Sequence, residues 1–314
     1  MRAATIRDGE VLVAEHDDPT PGPGELLVRV RAAGLNGADL LQRRGHYPAP
    51  AGSPADIPGL EFAGEVVGAG RDATRFGPGA RVMGIVGGGG QAELLVVHER
   101  QVTPVPDVLD WHQAGGFSEV FTTAHDALVT QAGLRPGERL LVHGAAGGVG
   151  TAAVQIGRAL GAHVTATARS VDLHPRIAEL GADVVVEPGA LPPEDRFDVV
   201  LELVGGPDVT EDVRRLRTGG RIVVIGVGAG IKAEVNLVAL MGVRGRIMAS
   251  TLRARPLEEK AAAARAVERE LLPLVERGAL TVPIAVSYPL DEVSPAYDRF
   301  AAGGKLGKIV LALG

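Results

Sequence analysis

The densest candidate for chemistry in this sequence is Gly144-Ala145-Ala146-Gly147-Gly148-Val149-Gly150, set between an apolar strand pattern (Arg139 to His143) and a helical one (Val149 to Leu160). A dinucleotide-binding turn must reverse tightly, let its backbone approach a pyrophosphate, and pack the next helix hard on the strand. Gly147 suits the second task and Gly150 the third, while Ala145 stands where the strict G-x-G-x-x-G pattern has its first glycine. The backbone of Ala146, Gly147, Gly148, Val149 and Gly150 would then face the pyrophosphate, whose charge the helix dipole favours. A plain tight turn is the bland alternative. The strand before and the helix after favour binding.

The end of the next strand, His163 to Ala168, discriminates between cofactors. Sites for NAD carry Asp or Glu there, about 20 residues beyond the glycines, to hold the ribose hydroxyls. This chain places Arg169 and Ser170 at that point. A guanidinium suits a 2′-phosphate, so NADPH is the expected cofactor; the competing account is a solvated surface arginine. Gly226-Val227-Gly228 follows the strand pattern Arg221 to Ile225 at the carboxyl edge of the same sheet, where ligands of such sheets bind.

These residues need elements to hold them. Short apolar runs alternate with helical ones from Gly115 onward (Asp183 to Val186, Phe197 to Leu203, Val209 to Leu216), which predicts a parallel sheet with helices on its faces. The first hundred residues read differently. Glu25 to Arg31, Glu61 to Val67 and Gln91 to Glu99 show partial alternation, with one short helical pattern, Asn36 to Arg44. Glu258 to Arg277 predicts one long helix, and Lys308 to Leu311 a last strand that returns to the first domain. Asp39 and Arg43, four apart, predict an intrahelical pair.

Composition narrows the partners. A chain of 314 residues is about two domains long and needs no disulfide to fold. It has no cysteine, which excludes disulfides, thiolate nucleophiles and cysteine-bound zinc. Eight histidines are scattered without ligand spacing, so no metal site is expected. A net charge of −6 with mixed signs argues against nucleic acid, and no run reaches the length of a membrane span. The expectation is a soluble cytoplasmic protein.

Gly34 to Pro48 (GLNGADLLQRRGHYP), Pro58-Gly59-Leu60-Glu61, Ala145 to Gly150, Thr251 to Arg255 (TLRAR) and Gly307 to Leu311 (GKIVL) together resemble a medium-chain dehydrogenase/reductase of the quinone oxidoreductase branch. That branch includes zeta-crystallin and the p53-inducible quinone oxidoreductases. The resemblance implies a GroES-like catalytic domain (1–115 and 253–314) with a doubly wound Rossmann domain (116–252) inserted, and an active site where the two meet. It also implies chemistry without zinc, since zinc-dependent relatives carry cysteine where Asn36 stands and histidine where Leu60 stands.

A quinone or enone is electron-poor and accepts hydride without Lewis-acid help, given orientation and hydrogen bonds to the oxygen that gains charge. By resemblance, Tyr47 would supply such a bond, or else packs a loop beside Pro48. Asn36 would lie by the nicotinamide and the substrate, or else satisfies loop backbone. Thr123 matches a nicotinamide-side threonine, though a linker-helix residue is the alternative. Leu252 and Arg253 would reach the cofactor, unless Arg253 is one more charge in a basic segment. The lysine and tyrosine with which related reductases grip the 2′-phosphate are absent; Val171 to His174 and Glu187-Pro188 stand there instead. The resemblance further implies a homodimer joined along an edge strand, Arg246 to Ser250. Enoyl reduction of unsaturated carbonyls or thioesters is the alternative activity, and a non-enzymatic NADPH-binding, crystallin-like protein the second alternative.

Overall fold

The chain starts with a hairpin, β1 (Arg2–Arg7) and β2 (Glu10–Glu15), paired antiparallel from end to end. Asp8 (φ +52°) and Gly9 (φ +81°) close it. Positive φ at both central residues matches the twist of the strands, and Asp-Gly tolerates it. Next come β3 (Glu25–Gly34), α1 (Gly37–Arg43), β4 (Glu61–Ala69), β5 (Arg81–Ile85), β6 (Leu94–His98) and β7 (Val102–Pro104), then α2 (Trp111–Gly115) and α3 (Ser118–His125). The strand predicted over Glu25 to Arg31 extends to Gly34; the run Ala32 to Gly34 is buried throughout, and Leu26, Val28 and Val30 are fully buried in alternation. Each such side chain stabilises the fold by about 1.5–3 kcal/mol.

The following segment carries β8 (Arg139–Val142), α4 (Gly148–Ala159), β9 (His163–Thr167), α5 (His174–Glu179), β10 (Val184–Val186), β11 (Phe197–Glu202), α6 (Pro207–Arg215), β12 (Leu216–Val224), α7 (Leu237–Gly242) and β13 (Arg246–Ala249). Its six strands form one wholly parallel sheet in the order β10-β9-β8-β11-β12-β13. That is the doubly wound order, whose reversal falls between β8 and β11 and opens a crevice at their carboxyl ends.

The chain then runs through α8 (Leu257–Glu270), α9 (Leu272–Glu276), β14 (Ile284–Pro289), α10 (Val293–Ala301) and β15 (Lys308–Ala312). The single helix expected over Glu258 to Arg277 is two, because Pro273 lacks the N–H that would continue the ladder. β15 pairs antiparallel with β3, as its lack of a following helix predicts, and extends the sheet to β14-β15-β3-β4-β5-β7 with β6 also on β3. Leu26, Val30, Phe62, Tyr297 and Ile309 anchor its core.

The structure is a computed structural model and describes residues 1–314. The chain divides into one unit of Met1–Thr122 with Leu252–Gly314 and another of Thr123–Thr251. The first thus takes in residues 116–122 and Leu252, which the resemblance groups with the second. No helix is long and apolar enough to cross a membrane.

Candidate functional site

In the second unit the glycine run forms the turn between β8 and α4, with Gly147 at the helix N-cap in extended conformation and no side-chain cap. Gly144 makes the reversal at φ +66°, the task that strict fingerprints give to the glycine replaced here by Ala145. A Cβ on Gly150 would lie 2.5 Å from the Gly144 carbonyl oxygen, so the helix start packs directly on the turn. On Gly147 a Cβ would meet only that oxygen, at 3.4 Å, which leaves its other side open. The first-turn amides of α4 have no intrahelical acceptor. The turn is tied to the neighbouring strand by the Ala145 N–H donating to the Thr167 carbonyl at 3.0 Å. This cradle fits the pyrophosphate of a dinucleotide.

Arg169 lies two residues beyond β9, exposed and in no ion pair, with partly buried Ser170 beside it. Gly226 is held by its N–H to the Glu202 carbonyl (3.1 Å), and a Cβ there would sit 2.1 Å from the Leu203 oxygen. Val227 and Gly228 follow it toward solvent. The carboxyl edge of the sheet therefore gathers Ala146 to Gly150, Arg169 and Gly226 to Gly228. Thr123 is buried in α3, 8 % exposed.

In the first unit Asn36 caps α1 within a buried network. Its Nδ2 donates to Glu61 Oε1 (3.0 Å) and the Gly34 carbonyl (3.3 Å), and its Oδ1 accepts from Lys308 Nζ (2.7 Å). Lys308 also donates to the Leu35 carbonyl and pairs with Glu61 at 2.7 Å. The carboxamide that the resemblance assigns to nicotinamide and substrate is thus engaged by the Glu61 and Lys308 side chains and the Gly34 carbonyl. The predicted Asp39–Arg43 pair does not form. Asp39 faces inward, 1 % exposed, accepting from the N–H groups of Asn36 (2.8 Å) and Gly59 (3.1 Å). Arg43 pairs with Asp298 at 3.8 Å and lies over the Tyr297 ring.

Arg253 is not one of a row of surface charges. It is 4 % exposed and donates to the carbonyls of Gly87 (2.7 Å) and Tyr47 (2.8 Å) and to Gln42 Oε1. Its guanidinium carbon lies 4.9 Å from the centre of the half-buried Tyr47 ring. The two residues assigned separately to catalysis and to cofactor therefore form one contact. Burial raises the Tyr47 phenol above its usual value, against the Arg253 charge, so it is a protonated donor at neutral pH. Leu252 is buried and lines a pocket with Met83, Ile85, Ser118 and Lys260.

Glu119 escaped the sequence reading, although it lies close to Thr123 on α3. Its N–H donates to Glu61 Oε2 (2.8 Å), and its carboxyl is pushed up to about 8 by burial and then by Glu61. Asp39 moves the same way, to about 6, chiefly by burial. For a carboxyl raised in the folded state, the contribution is fully present below the unfolded value, 4.5 for Glu119, and is lost as pH rises through about 8. Stability should therefore fall between about pH 4.5 and 8. Thermal melts of Glu119→Gln should flatten that fall; an unchanged slope would assign it elsewhere.

Known proteins match this architecture. Residues 22–107 match the alcohol dehydrogenase GroES-like domain and residues 160–311 the zinc-binding dehydrogenase domain. The quinone oxidoreductase of Homo sapiens is 31 % identical over 306 residues, covering 94 % of this chain and 91 % of that protein. The polyketide synthase GfsB of Streptomyces halstedii is 37 % identical over 294 residues, 92 % of this chain but 5 % of that protein. The quinone oxidoreductase of Thermus thermophilus, solved also in complex with NADPH, superposes with a TM-score of 0.87 at 32 % identity, covering 100 % of both chains. The chain belongs to the medium-chain dehydrogenase/reductase family. It is an oxidoreductase of the kind that uses a nicotinamide cofactor.

Proposed function

We propose that this protein is an NADPH-dependent quinone oxidoreductase, acting in the cytoplasm on small electron-poor acceptors. The observation that carries the cofactor choice is Arg169, an exposed and unpaired guanidinium just past β9, where an acid would select NAD. The α4 amides would hold the pyrophosphate, Arg169 and Ser170 the 2′-phosphate, and Gly226, Val227 and Gly228 would line the carboxyl edge. When bound, NADPH supplies the hydride. Tyr47 would donate its hydroxyl proton in a hydrogen bond to the acceptor oxygen that gains charge, with Arg253 fixing its loop. No residue of the family's zinc-ligand type stands at Asn36 or Leu60, and the chain lacks cysteine, which supports hydride transfer without catalytic zinc.

NADPH oxidation should be scanned across simple quinones, enals and an enoyl-CoA, with NADH in parallel. Quinone-dependent turnover preferring NADPH is expected. Arg169→Ala should lower kcat/KM for NADPH by about tenfold or more, the worth of a charged hydrogen bond, and leave NADH unaffected. Equal use of both cofactors by the unaltered protein would remove the NADPH assignment. The likeness to a segment of a polyketide synthase favours a second reading, reduction of an unsaturated carbonyl or thioester. Turnover confined to enals and thioesters would select it, and no turnover with any acceptor would leave a cofactor-binding protein.

We also propose a homodimer. β13 ends the parallel sheet with one side unpaired, and α7 just before it exposes Leu237, Val238 and Met241 at 66, 79 and 75 %. Light scattering should report twice the chain mass at micromolar concentration; the mass of a monomer would refute it.

A further inference from the structure

The second unit holds a buried polar cluster that the proposed reaction does not use. His143 follows β8, Glu202 ends β11 and Asp212 lies on α6, and a donor atom from each falls within 4.8 Å of the others. His143 Nε2 is 2.9 Å from Asp212 Oδ1 and 4.0 Å from Glu202 Oε2. The far side of the imidazole is held by Thr167, with Nδ1 3.1 Å from the hydroxyl, so Nε2 is aimed at the carboxylates. Glu202 Oε1 is likewise held, by the N–H groups of Val204 and Gly205 at 2.5 and 2.7 Å, so its other oxygen faces the histidine.

Two atoms in this cluster have no partner. Glu202 Oε2 and Asp212 Oδ2 are buried and accept no hydrogen bond, on residues 0 and 1 % exposed. With both carboxyls ionised, a single imidazolium would leave negative charge uncompensated, and unpaired buried charge is strongly unfavourable. Arg215, also on α6, is engaged by the carbonyls of Leu191 and Pro192 and by Glu211. A cation bound by one nitrogen and two oxygen donors would compensate that negative charge.

We propose that His143 Nε2 and the Glu202 and Asp212 carboxylates form a structural site for one divalent cation of the zinc class. Donors about 2.0–2.2 Å from a tetrahedral zinc ion lie about 3.3–3.6 Å apart, and the 2.9 and 4.0 Å separations from Nε2 bracket that range, so shifts of about half an ångström would bring both oxygens to it. An imidazole ligand and only three protein donors favour zinc over calcium or magnesium, which take all-oxygen shells. Thr167 and the two backbone N–H groups orient the ligands from outside, as supporting hydrogen bonds do at metal sites. The ion would replace the His143–Asp212 hydrogen bond and supply both orphan oxygens. It would join β8, β11 and α6 beside the Gly144 turn. Such burial makes loading a folding event and release slow.

The test is elemental analysis of protein made in zinc-supplemented medium and purified without a metal-affinity tag or chelator. About one zinc per chain is expected, retained through EDTA dialysis and lost when the chain is unfolded and refolded with EDTA, with a lower Tm. Refolding with cobalt should give visible absorption bands of a low-coordinate site. Asp212→Asn and Glu202→Gln should each carry less than about a tenth of that metal. His143→Gln, with circular dichroism as a check on folding, guards against a variant that fails to fold. Unaltered protein with only trace metal, or folded variants that retain it, would overturn the proposal.

Discussion

Lys308→Met is expected to lower the unfolding free energy by about 3–5 kcal/mol, the magnitude typical of removing one member of a buried ion pair. The ammonium and the Glu61 carboxylate are 3 and 0 % exposed and 2.7 Å apart, so the loss strands a charge that water cannot reach. It also strips a donor from the Leu35 carbonyl and from Asn36 Oδ1, and so loosens the cap of α1. Urea melts at pH 7 would measure the change. The double variant Lys308→Met/Glu61→Gln should recover part of it, because the remaining group is then neutral. A single-variant loss below about 1 kcal/mol would show that the pair is compensated elsewhere.

Tyr47→Phe should lower kcat with a good quinone by about a hundredfold and leave the affinity for NADPH unchanged, the pattern of a lost proton-sharing contact in the transition state. The folded loop should survive the change. Arg253 grips the Tyr47 carbonyl and lies against the ring, and neither contact needs the hydroxyl. Arg253→Lys separates the two roles: it keeps a charge but loses the planar fork that reaches Gly87, Tyr47 and Gln42 together. Steady-state kinetics of both variants are the check. An unchanged kcat for Tyr47→Phe would leave this tyrosine as loop packing beside Pro48.

The parallel sheet was legible because strands buried on both faces read as short apolar runs; β8, β9 and β11 fall within a residue or so of their sequence patterns. The glycine turn was legible for a related reason, since close approach admits no Cβ at Gly150. Long-range electrostatics was not. Asn36 and Lys308 are 272 positions apart, and nothing local marks them as partners. The spacing of Asp39 and Arg43 obeys a rule for exposed helix faces, and α1 turns Asp39 inward onto the Gly59 amide. Likewise His143, Glu202 and Asp212 show no ligand spacing, because adjacent parallel strands are joined through intervening helices. Two local signals in the chain mark features that the broad patterns do not: Asp8-Gly9 at the first hairpin, and Pro273 inside an otherwise helical stretch.

The placement of β15 against β3 has a consequence for synthesis on the ribosome. Thr123–Thr251 is continuous and can fold as soon as it emerges, while the other unit waits for β15. Until Lys308 leaves the exit tunnel, Glu61 and Asn36 lack the ammonium that later engages them both. A nascent chain stalled just short of β15 would therefore carry a finished nucleotide module and an open, protease-sensitive first unit. Emergence of β15 would itself be the event that closes it.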